Sequence, residues 1–158
     1  MKYMSPLISV SDMQKSLGFY RVVLGQTVGM DMGTNVSLTC GLSMQSNYAE
    51  LVGLDPKDEV KRSHNFELYF EEDDFDAFVD KLASMPEAEQ VHGVKEYPWG
   101  QRVIRIYDPD KHIIEVGENM EIVVARFFRQ GMTAEEVQAR TGYPMEYVLL
   151  LQTKLCQK

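Results

Sequence analysis

The chain has 158 residues, 44% of them hydrophobic, and a formal net charge of -8 from 16 basic and 24 acidic side chains. That length and composition suit one domain, or one domain with an appendage, whose core needs no disulfide scaffold. The acidity argues against nucleic acid or an anionic membrane as partner, since both want a basic face, and it permits cationic ligands.

The first predicted strand is "YMSPLISV". A helix follows in "SDMQKSLGFYRVVLG", with Asp12 as N-cap, Gly25 as C-terminal stop, and Met13, Leu17, Tyr20 and Leu24 on one face. Three strand-like runs come next: "QTVGMDM", "NVSLTCG" and "SNYAELVGL". The polar stretch at 55–63 reads as a linker. The order then repeats. "HNFELYF" is a strand, and "DDFDAFVDKLASM" is a helix with Phe75, Phe78, Val79 and Leu82 on one face. "QVHGVKEY", "QRVIRIY" and "HIIEVGE" are three further strands. The tail reads as two or three helices, with Thr133 and Glu136 at capping-box spacing and Pro144 in a first-turn position.

The stretch "RIYDPDKHIIEVGE" carries an acid, Glu115, inside an apolar strand. A buried carboxylate is costly unless paired. "DPDK" suits a type I turn with Pro109 at its second position and Lys111 in the left-handed slot, at a cost of roughly 1 kcal/mol for a non-glycine residue there. In that register Asp108 faces His112, Tyr107 faces Ile113, and Arg105 lies opposite Glu115, an arrangement that would satisfy both charges.

Three stretches resemble the glyoxalase/bleomycin-resistance/extradiol-dioxygenase superfamily, also called vicinal oxygen chelate proteins. They are "VSDMQKSLGFYRVVLG", "YAELVGL" and "PWGQRVIRIYDPDKHIIEV". With the repeated element order, the likeness covers roughly residues 3 to 118. It implies an α+β fold in which two βαβββ modules, about 1–54 and 64–118, pair into a curved mixed sheet forming a cup. Residues 119–158 would then be a helical C-terminal extension. The likeness also implies a metal site in the cup, whose ligand positions fall on Ser5, Glu50, Asn65 and Glu115. A serine and an asparagine stand where histidines are usual. Neutral hydroxyl and amide oxygens are poor ligands for a catalytic transition metal. His64 adjoins Asn65, but a shift of one residue turns a strand side chain to the other face.

Alternation places Ser5, Leu7 and Ser9 toward the cup and Ile8 and Val10 behind. It also places Asn65, Glu67 and Tyr69, then Tyr48, Glu50 and Val52, and then Ile113 and Glu115, on the cup side. Two readings follow. The first is a small-molecule-binding protein with a degenerate metal site, taking a cationic or aromatic compound through Tyr48, Glu67, Tyr69, Trp99 and Arg105. The second is a metal-dependent lyase or isomerase of the glyoxalase or epimerase type, with Glu50 and Glu115 as the catalytic pair and as metal ligands. No cofactor is assigned, and a divalent metal stays open. Arg102, in the family's G-x-R position, reads as structural, and His92 and His112 have no nucleophile at a recognisable spacing.

The tail also has a helix-turn-helix rhythm, set against few basic residues (Arg126, Arg129, Arg140, Lys154). The plainer expectation is a covering or homodimer-forming appendage built on Phe127, Phe128, Leu149, Leu150 and Leu151. Cys40 and Cys156, far apart and outside any CxxC spacing, read as free thiols of a cytoplasmic protein. The N-terminus has no apolar run of signal-peptide type, and no window approaches a membrane span.

Overall fold

The computed structural model describes residues 1–156, except for the side chain of Cys156, so the reading of that thiol lies outside the described residues. The fold is α+β, with two four-stranded mixed sheets and C-terminal helices. Contacts divide the chain into two compact units: Met1–Glu67 with Tyr107–Ile113, and Leu68–Ile106 with the chain from Ile114 onward.

In the first unit, β1 (Leu7–Ser9) leads into α1 (Met13–Leu24). The Asp12 carboxylate accepts from the Lys15 backbone N–H at 3.0 Å, and Gly25 closes the helix at φ 67. Both caps follow from residue chemistry: a short acid satisfies an orphan N–H, and glycine adopts the left-handed turn without a Cβ penalty. The buried stripe of α1 is Ser16, Tyr20 and Val23, whereas Met13, Leu17 and Leu24 are only half-buried. The stripe turns because Ser16 and Tyr20 are drawn to two buried aspartates described below.

After α1 come β2 (Val28–Asp31), β3 (Asn35–Leu38) and β4 (Ser43–Gln45), in sheet order β1-β4-β3-β2. β1 runs parallel to β4, and β3 is antiparallel to both of its neighbours. Here the structure corrects the sequence reading. The expected strand "SNYAELVGL" is instead α2 (Tyr48–Val52), ended by Gly53 at φ 73. The strand slot is taken earlier, because Gly41 at φ 91 turns the chain back directly after β3, and Leu42 and Met44 become core residues. Ala49, Glu50 and Leu51 are good helix formers, and five residues are too few for periodicity to separate helix from strand.

The second sheet has the same order, β5-β8-β7-β6. Its elements are β5 (Glu67–Glu72), α3 (Phe75–Ala83), β6 (Gln90–Glu96), β7 (Arg102–Tyr107) and β8 (Ile113–Glu118). Phe75, Phe78 and Leu82 are buried on α3, as the spacing predicts. Asn65 and Phe66 precede β5 and are exposed, so neither takes its expected strand position. His64 and Arg62, both at positive φ, break the extended conformation just before them.

The tail forms α4 (Met120–Arg129), α5 (Ala134–Thr141) and α6 (Met145–Cys156). The Thr133–Glu136 capping box is present. Met120, Val123, Val124, Phe127, Val137, Val148 and Leu151 form one buried cluster. Phe127 and Leu151 therefore serve the tail's own core and are not free to build an interface, whereas Leu149 and Leu150 remain exposed. No described helix is long and apolar enough to cross a membrane.

Candidate functional site

The polar face of the first sheet is neutral. The Ser43 hydroxyl lies 3.1 Å from that of Ser5 and 3.0 Å from that of Ser37. The Asn35 amide donates to the Gln45 side chain at 2.9 Å. The opposite face is apolar, with Ile8, Val36 and Met44 buried. Ser5 thus spends its hydroxyl on a serine partner. Glu50 stands exposed on α2, where it lines a shallow cleft with Tyr48, Ser9 and Glu59. The Ser9 hydroxyl donates to Glu59 at 2.8 Å.

The turn joining β7 to β8 belongs to this first unit. Asp108 and Asp110 are buried there. Tyr20 donates to Asp108 at 3.1 Å, Ser11 donates to Asp110 at 2.6 Å, and Ser16 reaches Asp110 at 3.4 Å. Lys111 sits at φ 73, the left-handed slot the sequence assigns it. The Asp108 backbone N–H donates to the His112 carbonyl at 3.0 Å, and the His112 ring meets the Asp108 carboxylate at 2.8 Å. Burial alone would lower the His112 pKa, but the Asp108 hydrogen bond and the charges of Asp108, Asp110 and Glu59 raise it above the usual value. Burial, followed by the charge and hydrogen bond of Asp108, pushes the Tyr20 phenol well up, so it acts as a neutral donor. His64 lies 2.7 Å from the Tyr107 hydroxyl. These groups staple the turn to α1, and nothing among them resembles an activated nucleophile.

The second unit carries the charged and aromatic chemistry. Glu115, 8% exposed, pairs with the Arg105 guanidinium from the neighbouring strand. Arg105 also donates to the Tyr97 hydroxyl at 2.5 Å and lies 3.2 Å from His92 Nε2. His92 Nδ1 lies 2.7 Å from the Gly93 carbonyl, which can only accept. Nδ1 therefore carries the proton, leaving Nε2 to accept from Arg105. The Tyr97 ring is stacked on Trp99, centroids 4.6 Å apart, while the Arg105 guanidinium lies 5.6 Å from the Tyr97 centroid. Trp99 Nε1 donates to the side chain of buried Gln101 at 3.0 Å. Gln101 in turn donates to Tyr69 and to the Glu118 carbonyl, each at 2.8 Å. Burial pushes the Tyr69 pKa up to about 12. Glu115, Arg105, Tyr97, Trp99, Gln101 and Tyr69 thus form one connected row.

Sequence reasoning missed Gln101 and the cluster beside it. Glu118, 4% exposed, accepts from Arg102 at 2.8 Å and from Arg126 at 3.0 Å, and Arg102 also reaches Asp76 at 2.7 Å. Burial pushes the Glu118 carboxyl up, but the hydrogen bonds from Arg102 and the charge of Arg126 outweigh it and hold the pKa below the usual range. The one available signal was Glu118 itself, an acid ending an apolar strand two positions after glycine-flanked Val116.

The metal ligands implied by resemblance do not fit this donor set. Ser5 is engaged by Ser43, Glu50 is on an exposed helix, Asn65 precedes its strand, and Glu115 is held by a cation. Among the described residues, no group of three His, Cys, Asp or Glu side chains is placed to hold a metal ion.

A Glyoxalase-like domain model matches residues 3–121. The chain belongs to that family. The tail beyond residue 121 lies outside the match. A crystal structure of a protein of unknown function from Agrobacterium tumefaciens str. C58 is 35% identical over 75% of this chain and 94% of its own, with a TM-score of 0.65. Two further structures share the fold. A lactoylglutathione lyase from Agrobacterium tumefaciens is 22% identical, with 75% of this chain and 93% of that chain covered and a TM-score of 0.57. A bleomycin resistance determinant encoded on transposon Tn5 is 20% identical, with 75% and 98% covered and a TM-score of 0.54. No curated protein matches the chain.

The basic residues of the tail are largely committed within the second unit. Arg126 holds Glu118, Arg140 reaches Glu96 at 3.1 Å, and Lys154 reaches Glu121 at 3.1 Å. A helix-turn-helix reader needs such cations for phosphates.

Proposed function

We propose that this glyoxalase-like protein binds a small planar aromatic compound without a catalytic metal. One observation carries the reading: the acid at the family's last ligand position, Glu115, is paired with Arg105. A guanidinium beside the carboxylate opposes a divalent cation by charge and engages one of its oxygens. The same pairing removes Glu115 as a counter-charge for a cationic ligand, which shifts the expectation from cationic to aromatic. The stacked Tyr97–Trp99 pair, with Trp99 36% exposed, offers a flat apolar surface whose edge is polar. The lyase or isomerase reading needs Glu50 and Glu115 together as ligands or base. Their present engagements and elements put it second.

The test is metal analysis of protein purified without chelator, together with titration of 2-naphthol followed by Trp99 fluorescence. The expected result is far less than one equivalent of metal, with saturable quenching by 2-naphthol and none by cyclohexanol. Near-stoichiometric zinc, nickel, iron or manganese that is lost in Glu115→Ala would sink the proposal.

A further inference from the structure

The turn Tyr97–Gly100, which carries both stacked aromatics, is gripped at each end by the C-terminal helices. At its far end, Arg126 Nη2 donates to the Gly100 carbonyl at 2.6 Å. Gly100 is at φ 85, and a Cβ placed there would lie 2.2 Å from Phe127 Cζ. The tail's core ring therefore presses directly on the turn. At its near end, Arg140 binds Glu96, the last residue of β6, and lies 4.4 Å from the Phe127 ring centroid. The turn is also closed on itself: the Tyr97 N–H donates to the Gln101 carbonyl at 2.9 Å, and the Gly100 N–H donates to the Tyr97 carbonyl at 2.7 Å.

We infer that the C-terminal helices are a brace, with Arg126, Phe127 and Arg140 as positioning residues that hold Tyr97 and Trp99 ready for ligand. An appendage that only covered apolar surface would have no need of these two polar grips on the bounds of one short turn. Arg126, Phe127 and Arg140 all lie beyond residue 121, where the family match ends. Preorganising the two aromatics removes the cost of ordering them at the moment of binding. The ligand half of the inference rests on the proposed binding function; the brace itself does not.

Trp99 is the chain's single tryptophan, so its emission reports this turn and nothing else. Arg140→Ala and Glu96→Ala each remove the near grip from exposed positions. In both variants the far-ultraviolet circular dichroism and unfolding midpoint should stay close to wild type, while acrylamide quenching of Trp99 increases. Binding of 2-naphthol should weaken about tenfold, the loss expected when two side chains must be re-ordered on binding. Arg140→Lys, which keeps the charge toward Glu96, should recover most of the wild-type quenching. Trp99 emission and quenching identical to wild type in both variants would overturn the brace. Altered quenching in a protein whose wild type does not bind 2-naphthol supports the brace and removes the proposed function instead.

Discussion

The two sheets have the same strand order and opposite chemistry. In the first, the polar face is a run of serines and amides, Ser5, Ser37, Ser43, Asn35 and Gln45, that satisfy one another. In the second, the equivalent strands carry Arg105 against Glu115, with His92 and Tyr97 attached. Topology is thus repeated while the site is not, as expected where backbone pairing sets the fold and individual side chains set the chemistry. Hydroxyl networks are uncharged, so their energy is indifferent to salt and to most of the pH range. Ion pairs held in partly buried positions respond to both.

The largest expected effect is in the second unit. Glu118→Ala leaves Arg102 and Arg126 facing one another with their shared anion gone, and Arg102 Nε is already buried without a partner. The two arginines left behind are about a third exposed and Arg102 keeps Asp76, so the expected loss is that of hydrogen bonds to a charged group, about 3 kcal/mol. Urea unfolding should show that loss, and a change below about 1 kcal/mol would mean the cluster behaves as a solvated surface pair. Arg105→Ala comes next. It removes the cation from Glu115 along with the Tyr97 hydrogen bond, for an expected loss of about 2 kcal/mol. The same variant should free the Tyr97–Trp99 pair on its inner side, measurable as a shift in Trp99 emission. An unchanged emission would detach the ion pair from the aromatic row.

Local chemistry made the β7–β8 hairpin legible. Pro109 and Lys111 fix the turn, the turn fixes the register, and the register alone puts Arg105 opposite Glu115. Both module helices were legible as helices, α1 through its caps and α3 through its apolar spacing; in α1 the spacing found only Tyr20 of the buried face. The fourth strand was not. Ser43–Gln45 offers a single core residue, Met44, and the adjoining "YAELV" has an apolar pattern that helix and strand share. The tail's grip on Gly100 was out of reach for a different reason. Arg126 and Gly100 are 26 positions apart, and no spacing rule connects a helix cation to one carbonyl of a distant turn.

Ser43→Ala probes the neutral side of the comparison. It deletes the hydroxyl between Ser5 and Ser37, for an expected loss of about 1 kcal/mol. That loss should be the same at pH ~5 and pH ~9 and in low or high salt, since no charge changes hands. A marked salt dependence would show that the face is coupled to ionised groups after all.

The smallest effect separates the units by the direction of their pH dependence. His112 has a raised pKa in the folded protein, so the folded state binds its proton more tightly than the unfolded chain does. Its stabilisation is fully present below the unfolded value of about 6.5 and fades as the pH rises through the folded value. Glu118 runs the other way. Its lowered pKa gives stability that is present above about 4.3 and lost as the pH falls through the folded value. The gap between wild type and His112→Gln, about 1 kcal/mol for the loss of one hydrogen bond to buried Asp108, should therefore narrow only on the alkaline side. For Glu118→Gln the gap should narrow only on the acid side. A His112 gap that closed toward acid would mean that the imidazole is neutral against Asp108, and the alkaline limb would then have to come from phenols with raised pKa values such as Tyr20 and Tyr69.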